Sequence, residues 1–503
     1  MVDFKKLKSG SDIRGTALGP DAALTDPVVY DIARGFAYYI CEKLGKSPRQ
    51  LKVAVGNDSR LSGERINACV CRALTESGIS VFNLGLISTP AMFMATLKDT
   101  LDCDASVMIT ASHHPFDKNG LKFFTKEGGL EGSDISKILE YAEQKRFLPE
   151  GKGKGGKVEK TDFMGVYAGI LRDKIRKATG EKKSLEGFKI AVDAGNGAGG
   201  FFADLVLKPL GADTSGSQFL EPDGRFPNHV PNPEDKEAME AICRAVVESK
   251  ADFGIIFDTD VDRAGAVSSD GEEINKSRLI ALISAILLEE EPGAWIVTDS
   301  ITSDGLTEFI EERGGHHHRF KRGYKNVINE AIRLNREGKN CPLAIETSGH
   351  AALRENFFLD DGAYLIIRLL IKMAQLKKQG KKLTDLIEGL KVPLEEKEIR
   401  MNIKAPDFAA YGNMVLEKLK GYVKARADFI PAKENYEGYR VSFAKGEGDG
   451  WFLLRMSLHD PIMPLNIESN SPGGTKLIAK KLYEFLKDFD GLDTARLADF
   501  INN

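Results

Sequence analysis

Short apolar runs, each ended by a cluster of polar or glycine residues, alternate along this chain with stretches whose apolar positions recur at helical spacing. Lys52 to Val55, Val81 to Leu84, Ser106 to Ile109, Phe188 to Val192, Phe253 to Phe257, Trp295 to Thr298 and Leu343 to Ile345 read as buried strands. Between the first of these runs and the N-terminus, Val29, Ile32, Ala33, Phe36, Ile40 and Leu44 keep helical spacing. Asp26-Pro27 predicts the start of that helix, with the acid as N-cap, and Gly45 its end. Further helices are predicted over Phe163 to Ile175 and Ala363 to Gln379, and the longest apolar run, Leu279 to Leu288, reads as a buried helix too short to span a bilayer. The β-α-β alternation predicts a largely parallel, covered sheet. Gly151 to Lys157 reads as a linker. Past Pro393 the pattern changes: strand-like pieces at Tyr439 to Phe443 and Trp451 to Met456 lie between helical ones at Phe408 to Leu419 and Gly474 to Phe489, which predicts a smaller α+β domain.

The polar stops carry the chemistry. In open α/β sheets ligands bind beyond the carboxyl ends of the strands. Ser112, Asp258 and Glu346 each stand just after a hydrophobic strand, so three similar αβ units could present their loops to one cleft. The first stop is Thr110-Ala111-Ser112-His113-His114-Pro115; a lone serine there would be read as a polar turn. The second is Asp258-Thr259-Asp260-Val261-Asp262-Arg263. Three carboxylates at alternating positions of a tight loop repel one another, and oxygen-only ligands suit Mg²⁺. An EF-hand does not fit, because Arg263 and Ser269 stand where its glycine and glutamate belong. An arginine beside such a site suits phosphate. The third, Glu346-Thr347-Ser348-Gly349-His350, offers the mixed donors and acceptors that a polyol needs, although helix capping would also use them. Lys122, in the loop after Ser112, would suit a general base if a cationic cleft lowered its pKa. Arg14 and the segment Asn57 to Gly63 supply further loop ends, Gly323 and Lys325 a weaker signal, and Arg455 with Ser457 a candidate phosphate grip. His316-His317-His318 reads as a half-exposed strand, since consecutive side chains cannot all face one way.

Composition narrows the class. At 503 residues the chain is too long for one core. A net charge of −4 argues against a nucleic-acid binder. No apolar signal core opens the sequence, and six scattered cysteines form no CxxC pair, so reduced thiols in a cytoplasmic setting are expected and no membrane partner is.

Taken together these residues resemble the α-D-phosphohexomutase superfamily, nearly end to end. TASHHP is similar to its phosphoserine loop, DTDVDR to its metal loop, ETSGH to its sugar-binding loop and RMSLHDP to its C-terminal phosphate-binding loop. GSDIRG, VGNDSRLSG, ISTP, VDAGNGAG and EPDGRFPNHVPNP also match, and EPDGRFPNH with ETSGH is most similar to the phosphomannomutase/phosphoglucomutase branch. The resemblance implies an α/β fold of three similar mixed αβ domains plus a C-terminal α+β domain around a central cleft, with bounds at 1–158, 159–272, 273–391 and 392–503. It implies a phosphorylated Ser112, with Mg²⁺ held by Asp258, Asp260, Asp262 and a phosphate oxygen on Ser112. Arg14, Lys122, Arg263 and His350 would assist proton transfer or orientation. Gly323, Lys325, Glu346, Ser348, Arg455, Ser457 and His459 would bind substrate. The implied reaction interconverts hexose 1-phosphate and hexose 6-phosphate, with a hexose 1,6-bisphosphate as intermediate and activator, in a monomer or homodimer. A phosphoglucosamine mutase and a catalytically silent sugar-phosphate binder are the alternatives. The chain departs from the family pattern at Asn57 and His114, and at Leu458, His459 and Pro464 in and beside the phosphate loop.

Overall fold

The first sheet forms where the apolar runs of the N-terminal third meet. Its strands are β1 (Lys8–Ser9), β2 (Asp12–Thr16), β3 (Lys52–Asn57), β4 (Ser80–Leu86), β5 (Ala105–Ile109), β6 (Lys118–Thr125), β7 (Gly128–Gly129) and β8 (Val158–Lys160), in the order β1-β2-β6-β5-β3-β4-β8 with β7 on β6. The structure, a computed structural model, describes residues 3–148, 155–457 and 460–503, so much of the expected linker Gly151 to Lys157 lies outside the described residues. Only the side of the sheet from β5 to the edge strand β8 is parallel, where β3 pairs with β4 and β5 and β4 with β8. The pairs β5–β6, β2–β6, β1–β2 and β6–β7 are antiparallel, which corrects the expectation of a largely parallel sheet. The segment between β5 and β6 is too short for a parallel crossover, which needs about a dozen residues, so the chain can only double back. That reversal also moves Lys122 from the expected loop onto β6.

Helices Asp26–Leu44, Gly63–Glu76 and Gly132–Glu143 share one core with this sheet. Ile32, Phe36 and Ile40 are fully buried in it, each stabilising the fold by about 1.5–3 kcal/mol. Asp26 is the first residue of its helix; the cap position belongs to Thr25, and Gly45 ends the helix in the left-handed conformation as expected.

The second sheet contains β9 (Ile190–Asp193), β10 (Phe253–Phe257), β11 (Ala264–Ser268) and β12 (Glu273–Ile274), with β9 and β10 parallel and the rest antiparallel. Helix Lys276–Glu290 follows, as the long apolar run predicts. Next come β13 (Trp295–Thr298), β14 (His316–Arg319) and β15 (Leu343–Ile345), with β13 parallel to both others. Then follow the antiparallel pair β16 (Ala351–Leu353) and β17 (Leu359–Asp360) and the buried helix Gly362–Lys377. The C-terminal region builds an antiparallel sheet from β18 (Glu395–Asn402), β19 (Ile430–Pro431), β20 (Tyr439–Phe443), β21 (Gly450–Leu454) and β22 (Ile462–Ser469). β21 stops at Leu454, leaving Arg455 and Met456 beyond the strand. Two compact units result: residues 1–286 with 348–386, and residues 287–347 with 387–503.

Candidate active site

Within the first unit, β5 delivers Ser112 and β10 delivers the acidic loop to one buried point. Ser112 has a φ of 51° and Val261 a φ of 67°, so both loops hold a non-glycine residue in the left-handed region, a strain that persists only where the surroundings enforce it. Ser112 Oγ donates to Asp258 Oδ2 at 3.0 Å and accepts from Arg263 Nη2 at 3.1 Å. Thr89, from ISTP, anchors the acidic loop to the segment after β4: its Oγ1 donates to Asp260 Oδ2 at 2.5 Å and its backbone N–H to the Asp260 carbonyl at 2.8 Å. Gly120 is required beneath them, because a Cβ there would stand 2.3 Å from the Ile13 carbonyl oxygen and 2.8 Å from that of Thr110.

The three aspartates are fully or almost fully buried, and one oxygen from each lies within 4.8 Å of the others. Lys122, only 4% exposed, places its ammonium 3.3 Å from Asp260 and in contact with Asp262. Its surroundings are therefore acidic, not the cationic cleft expected from the sequence. Burial, with the charges of Asp262 and Asp260, pushes the Asp258 carboxyl well above the usual range. Burial works the same way on Asp262, but Lys122, His350 and Arg263 outweigh it and hold that carboxyl low. Asp260 Oδ1 and Asp262 Oδ1 are buried with no hydrogen-bond partner. Such orphaned oxygens carry a desolvation cost that a cation would remove. Three hard ligands and two orphaned oxygens fit a divalent cation such as Mg²⁺.

Arg263 is the hub of the site. Beyond Ser112 it donates from Nη2 to His113 Nδ1 at 2.7 Å and from Nε to His350 Nε2 at 2.8 Å. Its Nη1 reaches Asn232 at 3.4 Å and Glu234 at 4.0 Å, which gives the segment Glu221 to Glu234 a part in holding it. His350 presents Nδ1 to Asp360 Oδ2 at 2.5 Å. Gly349 allows this approach with a φ of 93°, where a Cβ would stand 2.6 Å from the Ala264 carbonyl oxygen. Arg14 lies on β2, paired with Asp12 at 2.9 Å. His113 and His114 stack at 5.0 Å.

Two residues of this site were not singled out from sequence. The sequence presents Arg60 only as one residue of the loop end Asn57 to Gly63. It is buried, and instead of facing a ligand it donates to the carbonyls of Ser112, His114, Pro115 and Lys118. Asp360 carries no motif of its own; only its nearness to His350 exposes it.

The second unit holds the other expected substrate residues. Glu346 Oε1 accepts from the Gly323 N–H at 2.6 Å. Lys325 lies in the first turn of helix Tyr324–Arg336, not in a loop. Arg455 Nη1 stands 3.8 Å from Glu437 Oε1, and Ser457 Oγ accepts from the Asp460 N–H at 3.2 Å. Ser348 belongs to the first unit and is buried. His459 and Leu458 lie outside the described residues. In β14, burial runs exposed, intermediate, buried for His316, His317 and His318; His317 bonds to Thr298 and Thr307, and His318 to Glu330.

The fold and this site define a class: layered αβ domains with a serine hydroxyl against a buried carboxylate cluster. The sequence matches the family descriptions phosphoglucomutase/phosphomannomutase alpha/beta/alpha domain I over residues 5–148, domain II over 169–271 and domain III over 275–392. It is 34% identical over 474 residues to the phosphoglucomutase of Neisseria gonorrhoeae, covering 93% of this chain and 94% of that protein. It is 31% identical over 456 residues to the phosphomannomutase/phosphoglucomutase of Pseudomonas syringae, covering 90% and 91%. The crystal structure of a phosphoglucomutase/phosphomannomutase family protein from Burkholderia thailandensis superposes with a TM-score of 0.78 at 27% identity, covering 97% of this chain and 98% of that one. The chain belongs to the phosphoglucomutase/phosphomannomutase family, within the α-D-phosphohexomutase superfamily.

Proposed function

We propose that this protein is a hexose-phosphate mutase that interconverts hexose 1-phosphate and hexose 6-phosphate, with mannose and glucose phosphates as substrates. Phosphorylated Ser112 gives its phosphoryl group to the free hydroxyl of a bound hexose phosphate. The P–O bond to Ser112 breaks, a P–O bond to the sugar forms, and the hydroxyl proton passes to a base, a part Lys122 would take once a cation held by the aspartates offsets the carboxylates of Asp260 and Asp262 beside its ammonium. The resulting 1,6-bisphosphate reverses its orientation and returns the other phosphate to Ser112. Free bisphosphate would act as activator by restoring phosphate lost to water.

The observation that carries this reading is the placement of Ser112 Oγ, 3.0 Å from Asp258 and 3.1 Å from Arg263, in a chain of this family. Asp258, Asp260 and Asp262 would hold Mg²⁺, which when bound would neutralise charge on the transferring phosphoryl group. Arg263 is aimed at the same oxygen and would bind the phosphoryl group directly. His350, fixed between Arg263 and Asp360, and Arg14 would orient the reacting hydroxyl. Glu346 and Ser348 would take sugar hydroxyls, and Gly323, Lys325, Arg455, Ser457 and His459 the remainder of the substrate. We keep four domains with the bounds expected from sequence, a monomer or homodimer, and a cytoplasmic setting. The six free cysteines support the last. No helix among the described residues is long and apolar enough to cross a membrane.

Assays with glucose, mannose and glucosamine 1-phosphates side by side test the reading. Conversion of glucose and mannose phosphates at the higher kcat/KM is expected. A preference for the amino sugar would make it a phosphoglucosamine mutase, and no turnover on any of the three would make it a silent binder.

A further inference from the structure

The turn that leads into helix Tyr324–Arg336 carries Arg322, a residue that none of the recognised motifs contains. Two carboxylates of the second unit pin this turn. The Arg322 N–H donates to Glu437 Oε2 at 3.1 Å, and the Gly323 N–H donates to Glu346 Oε1 at 2.6 Å. Glu437 also accepts from Ser300 Oγ at 2.5 Å, so it cannot swing away from the turn without losing two bonds. The opposite oxygen of the same carboxylate stands 3.8 Å from Arg455 Nη1. Arg455 is 9% exposed, and its Nε is buried with no hydrogen-bond partner. The Arg322 guanidinium itself lies 3.3 Å, through Nε, from the buried Asp299, which is held in turn by the N–H and hydroxyl of Thr347 at 3.2 and 2.8 Å.

We infer that Arg322 and Arg455 together grip the non-reacting phosphate of the substrate, with Glu437 as the bracket that sets their separation. This rests on the mutase reading above and adds a phosphate-binding residue to it. Charge supports the assignment. Two guanidinium groups in a largely buried place repel each other, and here two carboxylates balance them. At 3.8 Å the contact between Glu437 and Arg455 is too long for a hydrogen bond, so the inner carboxylate leaves Arg455 donors to spare. A phosphate dianion presents three strong acceptor oxygens and would satisfy both forks. Burial lowers the Arg455 pKa; Glu437 opposes the fall and the charge of Arg322 adds to it, so the two cations feel one another.

Because the distal phosphate is the 6-phosphate in one direction and the 1-phosphate in the other, loss of Arg322 should act on both substrates alike. Replacing one charge-assisted contact to phosphate weakens binding roughly 10- to 100-fold. For Arg322→Ala the expected result is that much higher KM for glucose 1-phosphate and for glucose 6-phosphate, with kcat little changed, and partial recovery in Arg322→Lys. The binding readout uses the Ser112→Ala protein, titrated with glucose 6-phosphate in a calorimeter, with and without Arg322→Ala. Binding by the Ser112→Ala parent and a roughly 10- to 100-fold weaker Kd in the double variant would support the assignment. Equal Kd values, or a fall in kcat at constant KM, would overturn it and leave the mutase reading standing. Failure of the parent itself to bind glucose 6-phosphate would instead overturn the mutase reading, and this inference with it.

Discussion

Arg60 is expected to govern turnover without touching substrate. Its guanidinium, on a residue 2% exposed, donates from Nη2 to the carbonyls of Ser112 and His114 at 2.5 Å each. From Nη1 it donates to those of Pro115 and Lys118 at 2.7 and 2.9 Å, while Nε stands 3.3 Å from Asp58. The loop that presents Ser112 in a strained conformation is thus held from behind by one side chain. Arg60→Met would remove the guanidinium from four carbonyls and from the buried Asp58, although the Pro115 carbonyl keeps the Lys118 N–H at 3.1 Å and Asp58 keeps the N–H of residue 60 at 2.9 Å. Each orphaned group costs about 1–3 kcal/mol, and breaking a buried ion pair about 3–5 kcal/mol; since they share one partner these do not add. Part of the loss will be met by relaxation of the loop, and a shift of about 1 Å in a reacting group can cost about 100-fold in rate. We therefore expect kcat to fall about 100-fold, KM to change only a few-fold, and the melting temperature to drop. Arg60→Lys should fall between, since an ammonium lacks the planar fork that reaches several carbonyls at once. Steady-state kinetics in both directions, with scanning calorimetry on the same samples, provides the check. A folded Arg60→Met protein with wild-type kcat, or one in which only KM rises, would refute this reasoning.

Two other outcomes follow from the same geometry. Excess Mg²⁺ added to chelator-treated protein should raise its melting temperature, by the equivalent of about 2.7 kcal/mol at a concentration 100 times the Kd, and Asp260→Asn should shrink that shift; an unchanged melting curve in the wild type would count against the metal site. His229 is held between the Asp193 carboxylate at 3.0 and 3.1 Å and the Val230 carbonyl at 2.9 Å. Burial disfavours its charge, but these acceptors outweigh it and raise the pKa. Its stabilising contribution is therefore complete below the unfolded pKa of about 6.5 and is lost as pH rises through the higher folded value. The melting-temperature gap between wild type and His229→Gln should be full below about pH 6.5 and narrow as pH rises through the higher folded pKa, and a gap independent of pH would contradict the pairing.

The strand runs and the three polar stops were legible because buried strands are uniformly apolar and the chemistry stands at their ends. Ser112, Asp258 and Glu346 do follow β5, β10 and β15. Strand direction was not legible: hydrophobicity marks β5 as buried, but β6 mixes Lys118, Asn119, Gly120 and Lys122 with its apolar residues and does not read as a strand, so the reversal between them leaves no signal. For the same reason Lys122 was placed in a loop and its acidic neighbours, which come from a distant part of the chain, were missed. Arg60 and Asp360 stayed hidden because an arginine that bonds to backbone carbonyls, or a carboxylate that orients a histidine, leaves no spacing in the sequence. The segment Glu221 to Glu234 was matched as a motif, but its work, holding Arg263 through Asn232 and Glu234 and pairing His229 with Asp193, needed coordinates.

The central claim is that Ser112 carries the phosphoryl group between substrate positions. Its most direct test is to phosphorylate the protein with radiolabelled hexose 1,6-bisphosphate, map the label, and then add unlabelled glucose 1-phosphate in a rapid-quench experiment. The account predicts that the label maps to Ser112 and moves to the sugar within a turnover. Label that stays on the protein, or passes only to inorganic phosphate while the sugar turns over unlabelled, would contradict it.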